Sequence, residues 1–258
     1  MTEASAGTTD FAALADAAWP ALERAEAGGW QMRFAAGVTK RANSAWWVGN
    51  EADTSPDALA AVEIAYRERG LPPLFQLSAA QGGARARLIG RGYRALDETL
   101  VLAASLAARE TVPDDGVELA DEPGDEWLAV WWSVDGRGGE AELETARRIL
   151  TGVPAVYAAL RIDGALVAVA RLAPVGEWGG LYCVATLPEH RRRGYSERVV
   201  AAALAAGAEH GVTDAWLQVL ARNQAAAALY ARFGFAEVDR YEYLVGALRL
   251  PPAAACRA

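Results

Sequence analysis

The sequence predicts an α+β fold made of two related units in tandem. Three observations predict it. Helical and strand periodicities alternate along the whole chain. A helix–strand–helix–strand run recurs at an offset of 141–142 residues. Between the copies lies an acidic stretch holding Pro113, Gly116, Pro123 and Gly124, the composition of a boundary. We place the break near residue 111, giving units 1–110 and 111–258.

In the first unit, Phe11 to Ala27 reads as a helix, with Leu14, Ala18, Leu22 and Ala25 on one face. Trp30 to Phe34 alternates as a strand, and Ser44 to Val48 is a second candidate. Ser55-Pro56-Asp57 combines a serine cap, proline in the first turn and an acid at the positive end of a helix. That helix runs to Arg69 and stops at Gly70. Leu74 to Leu77 is a strand, Gln81 to Arg91 a helix, and Arg94 to Ala107 a strand or hairpin arm. In the second unit, Glu126 to Val134 and Gly139 to Leu150 are amphipathic helices. Ala155 to Arg161 and Leu166 to Leu172 are strands joined by Asp163-Gly164, a hairpin signal. Trp178 to Thr186, Ala215 to Leu220 and Ala236 to Val245 are strands; Gly194 to His210 and Asn223 to Phe233 are helices. The repeat pairs Phe75-Gln76 with Leu217-Gln218, and Arg91-Gly92-Tyr93 with Phe233-Gly234-Phe235.

Composition narrows the function. The chain is 53% hydrophobic and 22% charged, enough to bury a core and too apolar for disorder. Its net charge is −8, carried by eight acids without a base between Glu110 and Glu126. The remaining charges balance, so no basic surplus exists for a nucleic-acid surface. Lys40 stands alone beside 24 arginines. The longest nearly apolar stretch, Val199 to Ala208, is far short of the ~20 residues a spanning helix needs, so no membrane partner is expected. The acidic start has no basic region ahead of an apolar one, and a cytoplasmic location is expected. Cys183 and Cys256 build no disulfide framework. His190 and His210 lack a third partner, so no metal is expected.

The chemistry concentrates in Leu181 to Ser196, a strand, a turn, the cluster Arg191-Arg192-Arg193-Gly194, and a helix start. Helix starts leave about four backbone N–H groups unpaired and partly positive. A glycine there admits a ligand close to the backbone. In outline this is a diphosphate site, the alternative being a solvated basic turn.

Arg191-x-x-Gly194-x-Ser196, followed by Asn223, Leu229-Tyr230 and Gly234-Phe235, resembles the signatures of the GNAT superfamily of acyl-CoA-dependent N-acyltransferases. The resemblance covers about residues 117 to 245, and Ser196 departs from the usual small apolar residue. It implies two GNAT-like units, each a mixed, mostly antiparallel sheet flanked by helices, the first degenerate and the second catalytic. It also implies acetyl-CoA as co-substrate and an amine of a small molecule or peptide as acceptor, in a monomer or homodimer. On that resemblance the strand ending at Thr186 splays from its neighbour. Val184, Ala185 and Thr186 lie along the pantetheine arm, which pairs with backbone groups of Val184 and Thr186. Backbone N–H groups of Arg192, Arg193, Gly194, Tyr195 and Ser196 hold the diphosphate, with the side chains of Arg191, Arg192 and Arg193 nearby. Asn223 contacts the pantetheine region or holds its loop, and Tyr230 sits near the thioester sulfur.

Tyr230 is the expected proton donor to the leaving thiolate, the alternative being a packed aromatic. The general base is open. Gln218 stands where some relatives carry a glutamate; Tyr182, on the face of Thr186, and Glu177 are candidates, or the amine arrives neutral. Cys183 reads as buried core, and so do Trp127, Trp131 and Trp132, with Trp127 and Trp131 as alternative walls of the acceptor pocket. Arg33, Arg41 and Asn43 read as a structural turn or as substrate contacts. The expected activity is N-acetyl transfer in a ternary complex; the alternative is a non-catalytic acyl-CoA sensor.

Overall fold

The computed structural model of the chain describes residues 9–49, 51–106, 114 and 116–248. In chain order its elements begin with helix α1 (Phe11–Ala18) and strands β1 (Glu23–Ala27), β2 (Trp30–Phe34) and β3 (Ala45–Trp46). Next come α2 (Pro56–Glu68), β4 (Leu74–Ser78), α3 (Gly82–Gly90), β5 (Arg94–Ser105) and β6 (Val117–Ala120). Then follow α4 (Asp125–Asp135), α5 (Glu140–Leu150), β7 (Val156–Ile162), β8 (Ala165–Val175) and β9 (Trp178–Thr186). The series ends with α6 (Tyr195–Glu209), β10 (Asp214–Leu220), α7 (Gln224–Ala231) and β11 (Ala236–Val245).

Two expectations fail locally. Residues 23–27, expected as helix, form β1, because Pro20 cannot continue α1 and Gly28-Gly29 fold the chain back onto β2. Both glycines have positive φ (+58° and +79°), as a tight hairpin turn demands. A Cβ on Gly28 would also lie 2.7 Å from Ala58 Cα. The acidic stretch, expected as linker, holds β6, which pairs antiparallel with β7 from Val117↔Leu160 to Ala120↔Tyr157. The Asp163-Gly164 turn is as expected, with φ of +52° and +82°.

The chain groups into two compact units, each assembled from separated stretches. The first holds the described parts of 1–20, 103–135 and 151–217; the second holds those of 21–102, 136–150 and 218–258. The expected break near residue 111 and Cys256 lie outside the described residues. The repeated elements do recur in order: α6, β10, α7 and β11 begin 139, 140, 142 and 142 residues after α2, β4, α3 and β5.

In the first unit the strand order is β10-β9-β8-β7-β6, parallel only between β9 and β10. Helix α6 covers one face with Val199, Val200, Ala203 and Leu204, all buried. Contact is close there: a Cβ on Gly207 would stand 2.8 Å from Leu172 Cδ2. Neighbouring strand residues face opposite ways, so Arg171 points to the other face, where α1 and α4 pack. That face is aromatic. Trp178–Trp216, Trp216–Tyr182, Tyr182–Trp19, Trp19–Trp131, Trp131–Trp127 and Trp127–Tyr157 form a chain of ring contacts with centroids 5.2–6.4 Å apart. Trp127 and Trp131 are therefore core, and the Trp127 indole donates to Ala158 O at 2.9 Å. Gly180 belongs to the same packing, since a Cβ there would lie 2.6 Å from Tyr182 Cε2 and 2.7 Å from Trp216 Cζ2. Gly180→Ala is expected to cost about 1–3 kcal/mol of stability by overpacking, read from the denaturant midpoint.

In the second unit the order is β1-β2-β3-β4-β11-β5. Strands β3 and β4 are parallel, and β11 pairs antiparallel with β4 from Tyr241↔Ser78 to Val245↔Leu74. Trp30, Met32, Phe34, Leu59, Val62, Tyr66, Phe75, Leu77, Leu88 and Leu244 fill one core between the sheet and helices α2 and α3.

Candidate active site

Strand β9 is interrupted by a bulge. Tyr182 pairs with Arg171 and Ala185 with Val169, so Cys183 and Val184 together oppose Ala170. Cys183 takes φ +54° to make the extra step. A bulge leaves its backbone outside the ladder and turns the strand. Two expectations change here. Tyr182 shares a face with Ala185 rather than Thr186, because the extra residue shifts the alternation by one. Cys183, expected as buried core, is half-buried because it sits at the bulge. On the other side of β9 the registered pairing with β10 covers Trp178–Leu181 against Asp214–Leu217 and stops there. Val184 is half-buried, while Ala185 and Thr186 are buried.

The basic turn has a defined backbone. Arg192 has φ +64° and Gly194, the N-cap of α6, φ +78°. Left-handed residues within a turn are the backbone element from which anion-binding nests are built. No side chain caps α6. Its bonding begins with the Glu197 and Arg198 amides, both accepted by Gly194 O, so the amides of 192–196 precede the helical ladder. A Cβ on Gly194 would meet no atom within 4 Å, so this backbone faces open space. Arg191, Arg192 and Arg193 are exposed, and Tyr195 and Ser196 half-buried. The turn is tied to β9: Thr186 Oγ1 and Ser196 Oγ are 2.8 Å apart, and Arg191 Nε donates to Thr186 O at 3.2 Å. Donors, curvature and charge fit a diphosphate, which these amides and arginines would hold.

Asn223 and Tyr230 belong to the second unit. Asn223 is the N-cap of α7, its Oδ1 accepting from Ala226 N at 3.2 Å. Tyr230 is 8% exposed and meets Phe235 edge-on at 6.1 Å. Gln218 Oε1 accepts from Arg41 Nε at 2.6 Å. Asn43 is structural: its Oδ1 accepts from Ala35 N and Gly37 N, both at 2.8 Å, and its Nδ2 donates to Val38 O and Thr39 O. Arg33, 2% exposed, donates to Ser44 O, Ser44 Oγ and Gln76 Oε1. Glu177 sits in the turn before β9, and five strand residues lie between it and Cys183, a span of roughly 20 Å. An open groove of about 350 Å³ in this unit includes Arg85, Glu98, Arg240 and Glu242. Those charges are paired with one another, Arg85 with Glu242 and Arg240 with Glu98.

Sequence reasoning missed three features: the bulge, the left-handed Arg192 and the buried Arg171. The first two left no local signal, since Cys and Arg rarely take positive φ. The Gly28-Gly29 turn did carry one, a two-glycine step between alternating residues.

Residues 9–244 match the family described as "Probable histone acetyltransferase Rv0428c C-terminal". The chain belongs to this family. With it comes membership of the GNAT superfamily of N-acetyltransferases. The chain is 27% identical over 241 residues to the "Uncharacterized N-acetyltransferase YobR" of Bacillus subtilis, covering 90% of this chain and 96% of that protein. It is likewise 27% identical over 259 residues to the "Probable histone acetyltransferase Rv0428c" of Mycobacterium tuberculosis, covering 95% and 76%. Its fold is similar to that of a GCN5-related N-acetyltransferase from Kribbella flavida, with TM-score 0.67 and 21% identity over 91% of this chain and 94% of that one. A tandem GNAT protein from the clavulanic acid biosynthesis pathway has TM-score 0.59 and 17% identity over 75% and 69%. The mixed, mostly antiparallel GNAT architecture expected from the sequence is thus present. Among the described residues no helix is long and apolar enough to cross a membrane.

Proposed function

We propose that this GNAT protein moves an acetyl group from acetyl-CoA to a primary amine by direct transfer in a ternary complex. The observation that carries the reading is the basic turn in which Arg192 and Gly194 are left-handed, directly ahead of an α6 start that no side chain caps. Acetyl-CoA supplies the acetyl group as a thioester. The amides of 192–196 and the Arg191–Arg193 side chains hold the diphosphate. The bulged Val184–Thr186 segment offers backbone groups to the pantetheine arm, and the Asn223 cap fixes the start of α7. Tyr230 donates a proton to the departing sulfur. A thiol has pKa near ~8.5 and a phenol near ~10, so the transfer is only mildly uphill. Gln218 accepts no proton, and its amide oxygen is already engaged by Arg41. The amine is bound neutral, or loses its proton to water or to Tyr182. Along the chain we read a degenerate unit, 1–110, followed by a catalytic one, 111–258.

Thiol release from acetyl-CoA over a panel of primary amines tests the reading. Tyr230→Phe is expected to lower kcat about 100-fold while the KM for acetyl-CoA changes less than threefold. Unchanged turnover in that variant removes Tyr230 as the donor. Tight coenzyme A binding with no turnover for any amine favours the sensor instead.

A further inference from the structure

Asp97 lies within β5 with φ +48°, a conformation that non-glycine residues hold only where their surroundings fix it. Its carboxylate is the meeting point of two cations. Oδ2 accepts from Lys40 Nζ, and Oδ1 accepts from Arg222 Nη1 at 2.8 Å. The carboxylate is 17% exposed, and the Lys40 hydrogen bond, followed by that from Arg222, holds its pKa below the usual range against the effect of burial. Thr99 Oγ1 donates back to Asp97 O at 2.9 Å. The next residue continues the attachment, Glu98 O accepting from Ala221 N at 2.9 Å. Residues 97 and 98 thus grip 221 and 222, immediately before the Asn223 cap. On the other side, Lys40 belongs to the turn that Asn43 closes, in which Ala36 and Thr39 also have positive φ.

We infer that Asp97 is a positioning residue: its two-cation clasp fixes the start of α7, and with it the rotation and height of Tyr230. The clasp joins three segments, the 36–43 turn, β5 and the end of β10, through one carboxylate. Tyr230 lies seven residues beyond the cap on a helix of eight. A small tilt at the cap therefore moves its hydroxyl relative to anything it must meet, and misplacement by about 1 Å is enough to cost orders of magnitude in rate. The catalytic consequence rests on the donor role proposed for Tyr230; the structural consequence does not.

The test uses the full chain and separates the two arms. Arg222→Gln removes the α7 arm at a side chain that is 68% exposed, so folding is preserved. Lys40→Gln removes the turn arm, and Asp97→Asn removes both. Backbone hydrogen exchange is read over 221–231 and 36–43. Arg222→Gln is expected to speed exchange at 221–231 alone, Lys40→Gln at 36–43 alone, and Asp97→Asn at both. In turnover with acetyl-CoA and whichever amine gives thiol release, Arg222→Gln lowers kcat at least tenfold with KM for acetyl-CoA little changed, and Arg222→Lys restores it. Exchange at 221–231 unaltered in Arg222→Gln overturns the clasp. Faster exchange there with kcat intact overturns the positioning role. Should Tyr230→Phe prove fully active, the donor reading fails, and the exchange data still decide the clasp.

Discussion

Arg192→Glu combined with Gly194→Asp is expected to weaken coenzyme A binding at least 100-fold, measured by calorimetry. Gly194 takes φ +78°, where an L-residue costs about 1–2 kcal/mol, so aspartate either strains the α6 N-cap or unwinds it. An aspartate side chain also places negative charge where the amides of 192–196 would meet a diphosphate. Charge reversal at Arg192 adds repulsion and removes an attraction, each hydrogen bond to a charged partner being worth about 1.5–3 kcal/mol. Together these exceed the ~2.7 kcal/mol that corresponds to 100-fold. The turn lies on the surface with open space before Gly194, so the rest of the fold tolerates the change. A thermal midpoint lowered by only a few degrees, as the strain at Gly194 requires, together with lost affinity is the expected pair of results. Retained affinity would move the diphosphate away from this turn and withdraw the functional proposal.

Arg171→Ala is expected to lower the unfolding free energy by about 3–5 kcal/mol, the range for breaking a buried charged network. Arg171 is 0% exposed at the centre of β8. Its guanidinium lies 5.8 Å from the Trp19 and Tyr157 rings and 5.9 Å from Tyr182. It donates to Ala18 O at 3.1 Å and to Tyr157 Oη at 3.3 Å. The first bond satisfies a carbonyl at the C-terminal, partly negative end of α1, so Arg171 docks that helix as well as filling the aromatic box. Burial raises the Tyr157 pKa, and the neighbouring Arg171 charge opposes the rise. Arg171→Met, which keeps volume and deletes the charge, is expected to cost less than Arg171→Ala, because hydrophobic replacement of a buried ion is tolerated better than truncation. Equal losses in both variants would mean that the charge, rather than the packing, carries the stabilisation.

Much of the fold was legible in the sequence. Strands β9 and β11 begin and end where the alternation does, and Ser55-Pro56-Asp57 and Asp163-Gly164 mark a helix start and a hairpin through local chemistry alone. The motif residues Arg191 to Ser196, Asn223 and Tyr230 were legible too, because residue type at fixed spacing is itself local. What escaped was decided at a distance. Periodicity assigns Tyr182 and Thr186 to one face, and a bulge whose only mark is the φ of Cys183 reverses that. Arg171 reads as a polar interruption in an apolar strand, yet three rings and a helix end close around it.

By itself the sequence determined the order of helices and strands apart from β1 and β6, the recurrence of α2-β4-α3-β5 in α6-β10-α7-β11, and the turn that carries the arginines. Each follows from propensities and periods that act within a few residues. Tertiary structure alone decided that β11, from the far end of the chain, completes the sheet of β4, that β9 bulges at Cys183, and that Asp97 gathers Lys40 and Arg222. Pairing, register and ion clustering join residues tens to hundreds of positions apart, and no local pattern encodes which distant partner is chosen.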